Sequence, residues 1–253
     1  MLTIHKLARL SRGAGTIFDN FLLAYFTDRP RRVRFVNSVL GFAEHERLKE
    51  RFPTVSIPSL FQGSPALQIS IEPGTYIPGN VPMSELCVLC ALARRISARR
   101  IFEFGTLNGN TAYHLALNTP EECEIFTLDI PEGVIPALKE DEGDGLFRRE
   151  QAGGYRWLGS DVAKKIHPIL SDSARLSVGP YERSMDMVFV DGSHSAKYIA
   201  NDSRLALQMV RKGGIIVWHD YLVWNDVTTF LQKFSADHRL SHIAGTSLVI
   251  YES

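Results

Sequence analysis

From residue 83 to the C-terminus, strand-like runs alternate with helix-like ones, and nothing else in the chain constrains the fold as strongly. A helix over 84–97 precedes the strand Arg100–Phe104. A glycine-containing turn then leads to a helix over Thr111–Leu117, and Glu124–Asp129 reads as the next strand. A charged stretch at 131–161, with Gly143, Gly145, Gly153 and Gly154, reads as a mobile loop. His167–Leu170 is a short strand and Met185–Val190 another. A helix runs on through Met209, followed by the strand Gly214–Trp218 and a helix over Asp226–Phe234. Leu240–Ile243 and Ser247–Tyr251 flank Ala244-Gly245-Thr246 with no helix between them, so they pair as a hairpin. Strands separated by helices pair in parallel. The predicted fold is α/β: a doubly wound, Rossmann-like, mostly parallel seven-stranded sheet with an antiparallel C-terminal hairpin.

Residues 1 to about 52 carry apolar positions at helical spacing, among them Ile17, Phe18, Phe21, Leu22 and Tyr25. Residues 53–82 hold Pro53, Pro58, Pro65, Pro73, Pro78 and Pro82, the mark of a linker or an extended wrap. The expected division is a helical N-terminal extension with a Pro/Gly-rich linker over 1–78 and a core domain over 79–253. The extension reads as a packing arm that could pair two copies as a homodimer. Its sharper alternative is a lid or a membrane-surface helix. Arg29, Arg31, Arg32 and Arg34 read as a solvated face, with an acidic substrate group as the alternative.

Lys plus Arg and Asp plus Glu each number 28, so the chain lacks the basic surface that a nucleic-acid partner requires. No run approaches the ~20 apolar residues of a membrane helix, and Met1–Leu10 lacks the features of a signal peptide. Cys87 and Cys90 form a C-x-x-C, which suggests redox or zinc chemistry. They lie within an apolar helix-like run with no second ligand pair, and read instead as buried thiols in a reducing, cytoplasmic setting.

In such sheets ligands bind beyond the carboxyl ends of the strands. After the first strand comes Glu103-Phe-Gly105-Thr-Leu-Asn-Gly109-Asn-Thr111, where glycines permit close backbone approach. Its spacing is not the G-x-G-x-x-G of a pyrophosphate site. Glu103 near the strand's end needs a partner, which an amino-acid ammonium would supply. Asp129-Ile130 follows the second strand. An acid there accepts hydrogen bonds from ribose hydroxyls, or caps a turn. Ser171-Asp172-Ser173 follows the third, where an adenine edge is read. Asp191-Gly-Ser-His194 and Trp218-His219-Asp220-Tyr221 follow the next two. Their convergence gives Asp191, His219 and Asp220 as a divalent-cation set with His194 nearby. The alternative is that His219 and Asp220 only brace the loops.

The segments E-F-G-T-L-N-G-N-T, T-L-D-I, F-V-D-G-S-H-S and G-G-I-I-V-W-H-D-Y, in this order, resemble class I S-adenosylmethionine-dependent methyltransferases. They are most similar to the branch of catechol-type O-methyltransferases and bacterial relatives acting on sugars and antibiotics. The resemblance covers about residues 79–252. It implies S-adenosylmethionine as cofactor, O-methylation of a small-molecule or sugar hydroxyl, and assistance from Mg or Mn. It places Asn80 and Val81 at the methionine moiety, together with Gly105, Thr106, Leu107, Gly109 and Thr111. It moves Glu103 from the ammonium to the ribose, beside Asp129, and surrounds adenine with Ile130, Asp172 and Ser173. Asp191, which also borders the cofactor, His219 and Asp220 take the ligand positions. Asp191 and His194 are then the catalytic pair, with His194 as the base. Two positions depart from the pattern: the catechol-type enzymes carry a Lys where this chain has His194, and an acid where it has His219. The competing expectations are a nicotinamide-dependent oxidoreductase, disfavoured by the glycine spacing and the terminal hairpin, and a non-catalytic cofactor-binding or assembly protein, disfavoured by the intact acids and His194.

Overall fold

In the central strands, neighbouring residues turn to opposite faces of the sheet, and both faces are apolar. Ile101, Ile125, Met187, Phe189, Ile215 and Val217 pack on one side, and Phe102, Phe104, Val188, Ile216 and Trp218 on the other. A strand apolar on both faces must be covered on both, which is the condition of a parallel sheet between helical layers. The structure, a computed structural model, describes residues 51–74, 77–131, 133–138 and 154–253. The helical reading of the N-terminal segment, its arginine cluster, and Gly143, Gly145 and Gly153 lie outside the described residues, Arg51 and Phe52 excepted.

The strands are β1 (Thr54–Val55), β2 (Arg100–Phe104), β3 (Glu124–Asp129), β4 (Ile166–Leu170), β5 (Met185–Val190), β6 (Val210–Trp218), β7 (Leu240–Ile243) and β8 (Val249–Glu252). The helices are α1 (Ile57–Leu60), α2 (Met83–Arg95), α3 (Asn110–Leu117), α4 (Ala196–Met209) and α5 (Asn225–Phe234). One 8-stranded sheet runs β1-β7-β8-β6-β5-β2-β3-β4, and only the pairings of β8 with β6 and β7 are antiparallel. The α/β expectation and its terminal hairpin hold. The count is one strand higher than expected because β1 joins the edge, parallel to β7, with Thr54 opposite His242. Residues 51–253 form one compact unit, so the proline-rich stretch lies against the core.

Leu89 and Leu92 of α2 and Leu115 of α3 are fully buried on the first face, and Leu205 and Met209 of α4 and Leu231 of α5 on the second. Each such side chain contributes roughly 1.5–3 kcal/mol relative to exposure. The indole of Trp218 donates to Ser203 Oγ at 2.8 Å, so its one polar atom is satisfied within the core. Ser195 caps α4 with its hydroxyl, which fixes where the β5–α4 loop ends and the helix begins. Among the described residues no helix is long and apolar enough to cross a membrane.

Candidate active site

The winding reverses between β2 and β5. From β2 the chain moves outward to β3 and β4, then returns to lay β5 and β6 on the other side. Such a switch point is where ligands bind in open α/β sheets. A cleft of about 420 Å³ opens there, within the size range of small-molecule sites. Asn80, Val81, Gly105, Thr106, Leu107, Thr111, Asp129, Ile130, Asp172, Ser173, Asp191, His194, His219 and Asp220 all line it.

Glu103 and Gly109 were expected in the cleft and are not among its lining residues. Glu103 is 1% exposed and accepts a hydrogen bond from Thr127 Oγ1 at 2.5 Å. It shares a strand face with Ile101, so it turns inward instead of toward the strand's end. Its link to the cleft runs through Thr127 to the Thr106 hydroxyl, 2.7 Å further on. Burial, with the nearby charges of Asp191 and Asp129, pushes its pKa up to about 8 despite the Thr127 bond. Gly109 begins α3 at φ +74°, and an added Cβ would lie 1.9 Å from the Trp157 ring. Its conformational freedom therefore admits an indole. Gly105, at φ +93°, similarly admits the backbone of Asp191, whose carbonyl oxygen would lie 1.9 Å from an added Cβ.

Asp129 accepts the backbone N–H groups of Leu107 at 2.9 Å, Thr106 at 3.2 Å and Ile130 at 2.8 Å. It shapes the turn after β2, as the capping alternative expected, and still borders the cleft. Asp172 accepts from Ala137 N–H at 2.6 Å, Ala174 N–H at 2.8 Å and the Tyr198 hydroxyl at 3.0 Å. It thereby fastens the start of the charged insertion. The insertion's other end is fastened to the β2–α3 turn: Arg156 N–H donates to Asn108 O at 2.9 Å and its guanidinium to Asn110 Oδ1 at 2.8 Å.

The ends of β5 and β6 bring the catalytic candidates together. His219 Nδ1 lies 2.9 Å from Asp191 Oδ1 and 3.4 Å from Asp220 Oδ1. His194 Nε2 lies 2.8 Å from Asp220 Oδ2, and its ring stacks on Trp224 with centroids 4.4 Å apart. Burial opposes a charge on His219, but Asp191 and Asp220 outweigh it and hold the ring's pKa well above the usual imidazole value. Asp220, equally buried, is held far below the carboxylate range by His219 and His194. Burial raises Asp191, with His219 opposing. The candidate donor atoms of Asp191, His219 and Asp220 all lie within 4.8 Å of one another. Adjacent ligands of an octahedral ion with 2.1 Å bonds stand about 3.0 Å apart. The 2.9 and 3.4 Å separations bracket that spacing, so the donor set fits a divalent cation.

Sequence reasoning missed several cleft residues, Glu85, Trp224 and Asp202 among them. Glu85, in the first turn of α2, binds His219 Nε2 at 2.7 Å. Trp224 braces His194. Asp202 of α4 is buried behind Gly192, and burial pushes its pKa up to about 7. Glu85 carried only the signal of an acid near a helix start, and Asp202 that of a polar residue in a helical pattern.

The strand order, the switch-point cleft and the hairpin define the class I methyltransferase fold. Residues 102–221 match a family model described as a methyltransferase domain. A flavonoid 3',5'-methyltransferase of Vitis vinifera is 26% identical over 151 residues, 58% of each chain. A catechol O-methyltransferase of Mycobacterium tuberculosis is 29% identical over 132 residues, 51% of each chain. The match thus spans only 51% to 58% of these relatives' length. Among solved structures, the O-methyltransferase TomG of Streptomyces achromogenes, crystallised with SAM, superposes with a TM-score of 0.51 at 18% identity, covering 69% of this chain and 82% of that one. At that identity the likeness is one of fold.

Proposed function

We propose that this protein is an S-adenosylmethionine-dependent O-methyltransferase. Its acceptor would be a small-molecule or sugar hydroxyl held at a divalent cation, Mg or Mn. The observation that carries this reading is the convergence of Asp191, His219, Asp220 and His194 on the same cleft as the Gly105–Thr111 turn and Asp129. The relatives named for flavonoid and catechol methylation support the hydroxyl acceptor.

In this mechanism Asn80, Val81, Thr106, Leu107 and Thr111 hold the methionine part of the donor, with Gly105 admitting the close approach. Asp129 receives the ribose hydroxyls, while Glu103 steadies Thr106 from beneath through Thr127. Ile130, Asp172 and Ser173 border the adenine. Asp191, His219 and Asp220 would hold the cation, which would supply Lewis acidity that lowers the acceptor hydroxyl's pKa. His194 takes the acceptor's proton on Nδ1 while Nε2–H donates to Asp220, which stabilises the imidazolium formed. Holding donor methyl and acceptor oxygen in line supplies ~7–11 kcal/mol of the barrier.

Calorimetric titration of S-adenosylmethionine, with and without Mg or Mn, tests the reading. Micromolar binding that Asp129→Ala weakens by about 10-fold or more, the loss of charge-assisted hydrogen bonds, supports it. No binding under any metal condition refutes it. The three free thiols support a reducing, cytoplasmic setting. The helical spacing ahead of residue 79 supports an N-terminal extension that pairs two copies.

A further inference from the structure

Glu85 stands where three parts of the molecule meet. It lies in the first turn of α2 and is 6% exposed. Its Oε1 accepts the backbone N–H of Ser247, in the β7–β8 hairpin, at 2.5 Å. Its Oε2 faces His219 Nε2 at 2.7 Å and accepts the Ser247 hydroxyl at 3.3 Å. That hydroxyl in turn accepts the N–H of Asp220 at 3.3 Å. One carboxylate therefore ties the helix, the hairpin and the end of β6 into a single arrangement.

A carboxylate only accepts hydrogen bonds. With one oxygen taken by the Ser247 N–H and the other turned to His219, the Nε2 atom must donate. We propose that Glu85 is the positioning residue of the cation site: it keeps the proton of His219 on Nε2 and so presents Nδ1 to the space shared with Asp191 and Asp220. This rests on the reading of those three residues as cation ligands. The geometry supports the role from the far side as well. Nδ1 is aimed at Asp191 Oδ1 and Asp220 Oδ1, 2.9 and 3.4 Å away, so three electron-pair donors converge on one point. A cation lying among them would satisfy all three. A histidine ligand commonly has its outer nitrogen held by a carboxylate, which fixes ring orientation and raises ligand basicity, and loss of that partner weakens metal affinity about 10–100-fold.

Glutamine cannot replace Glu85 in this role. Its single carbonyl oxygen cannot serve both the Ser247 N–H and His219 Nε2. Its amide N–H, turned toward His219, would move the ring proton to Nδ1 and block the ligand position.

Two measurements on the full-length chain test the proposal. Manganese is titrated calorimetrically into the wild type and Glu85→Gln, with S-adenosylmethionine binding in the absence of metal as the check on folding. Long-range nitrogen–proton NMR then locates the His219 ring proton in the magnesium-loaded wild type. The expected results are a 10–100-fold weaker manganese affinity in Glu85→Gln with donor affinity unchanged, and a wild-type ring protonated on Nε2. A variant that binds manganese within about twofold of the wild type overturns the role of Glu85 while leaving the cation site standing. Protonation on Nδ1 in the loaded wild type also overturns it, and that measurement decides alone if the variant does not fold. A wild type that takes up no manganese overturns both the proposal and the cation reading, whereas donor binding in the same sample preserves the methyltransferase reading.

Discussion

Alanine at Gly105 probes whether the turn after β2 is built to touch the end of β5. An added Cβ would sit 1.9 Å from the carbonyl oxygen of Asp191 and 3.1 Å from Cα of Gly192. Both neighbours are backbone, so no change of rotamer relieves the overlap. Gly245 serves as the control: its φ is +77°, and nothing lies within 4 Å of its added Cβ. Gly245→Ala therefore costs only the left-handed backbone, about 1–2 kcal/mol. Gly105→Ala adds the overpacking of a closed interior, about 1–3 kcal/mol, for a sum of about 2–5 kcal/mol. In a domain of this size 1 kcal/mol moves Tm by about 2–4 °C. Gly105→Ala should then melt on the order of 10 °C lower, and Gly245→Ala a few degrees lower. Circular-dichroism melts with urea titrations on both variants read this directly. Gly105→Ala should also weaken donor binding, because the displaced atoms belong to Asp191. Two variants equal in stability to within about 0.5 kcal/mol, the usual error of such comparisons, would refute the close-approach argument.

His194→Ala should lower turnover by roughly 10²–10⁴ while leaving donor affinity intact, measured by steady-state kinetics beside calorimetry; unchanged turnover removes His194 from the mechanism. Glu103 and Asp202, with pKa values pushed by burial up to about 8 and about 7, hold their protons more tightly folded than unfolded. Their contribution to stability is complete below about pH 4, near the unfolded values, and declines as pH rises through 7 to 8. Urea midpoints of Glu103→Gln and Asp202→Asn across pH 4–9 should therefore fall less steeply than those of the wild type; parallel curves would contradict the shifts.

Much of the sheet was legible because its pattern is local. The runs Arg100–Phe104, Met185–Val190 and Gly214–Trp218 carry their own β-branched and aromatic composition, and the Gly-containing turn after Phe104 is short. The β1 strand was not legible: two residues have no period, and Thr54–Val55 becomes a strand only by pairing with His242 and Ile243. Glu103 does not line the cleft, and the signal for that existed. Strand alternation sets it on the face of Ile101, and its partner across β3 is Thr127, which takes its carboxyl into the interior. Glu85 lacked any such signal. Its burial depends on Ser247, 162 residues away in sequence, and on a hairpin whose position no local pattern encodes.

The meeting of Asp191, His219 and Asp220 follows from strand order. Asp191 N–H bonds the carbonyl of Phe104 at 2.9 Å, and His219 N–H that of Val190 at 3.1 Å. The ends of β2, β5 and β6 are thus stepped side by side, and residues far apart in sequence meet at one strand spacing, roughly 4.8 Å. Sequence spacing alone gives Asp191 and Asp220, but it leaves unexplained why an imidazole stands between them where the similar catechol-type enzymes carry an acid. The structure supplies the missing charge at one ring's remove. Glu85 accepts from Nε2 of the same imidazole whose Nδ1 meets the two aspartates. The His219–Glu85 pair thereby presents the charge of an acid through a nitrogen atom, a softer ligand than the oxygen it replaces. In this chain the imidazole at His219 and the buried acid at the start of α2 therefore act as one unit, linked through Nε2.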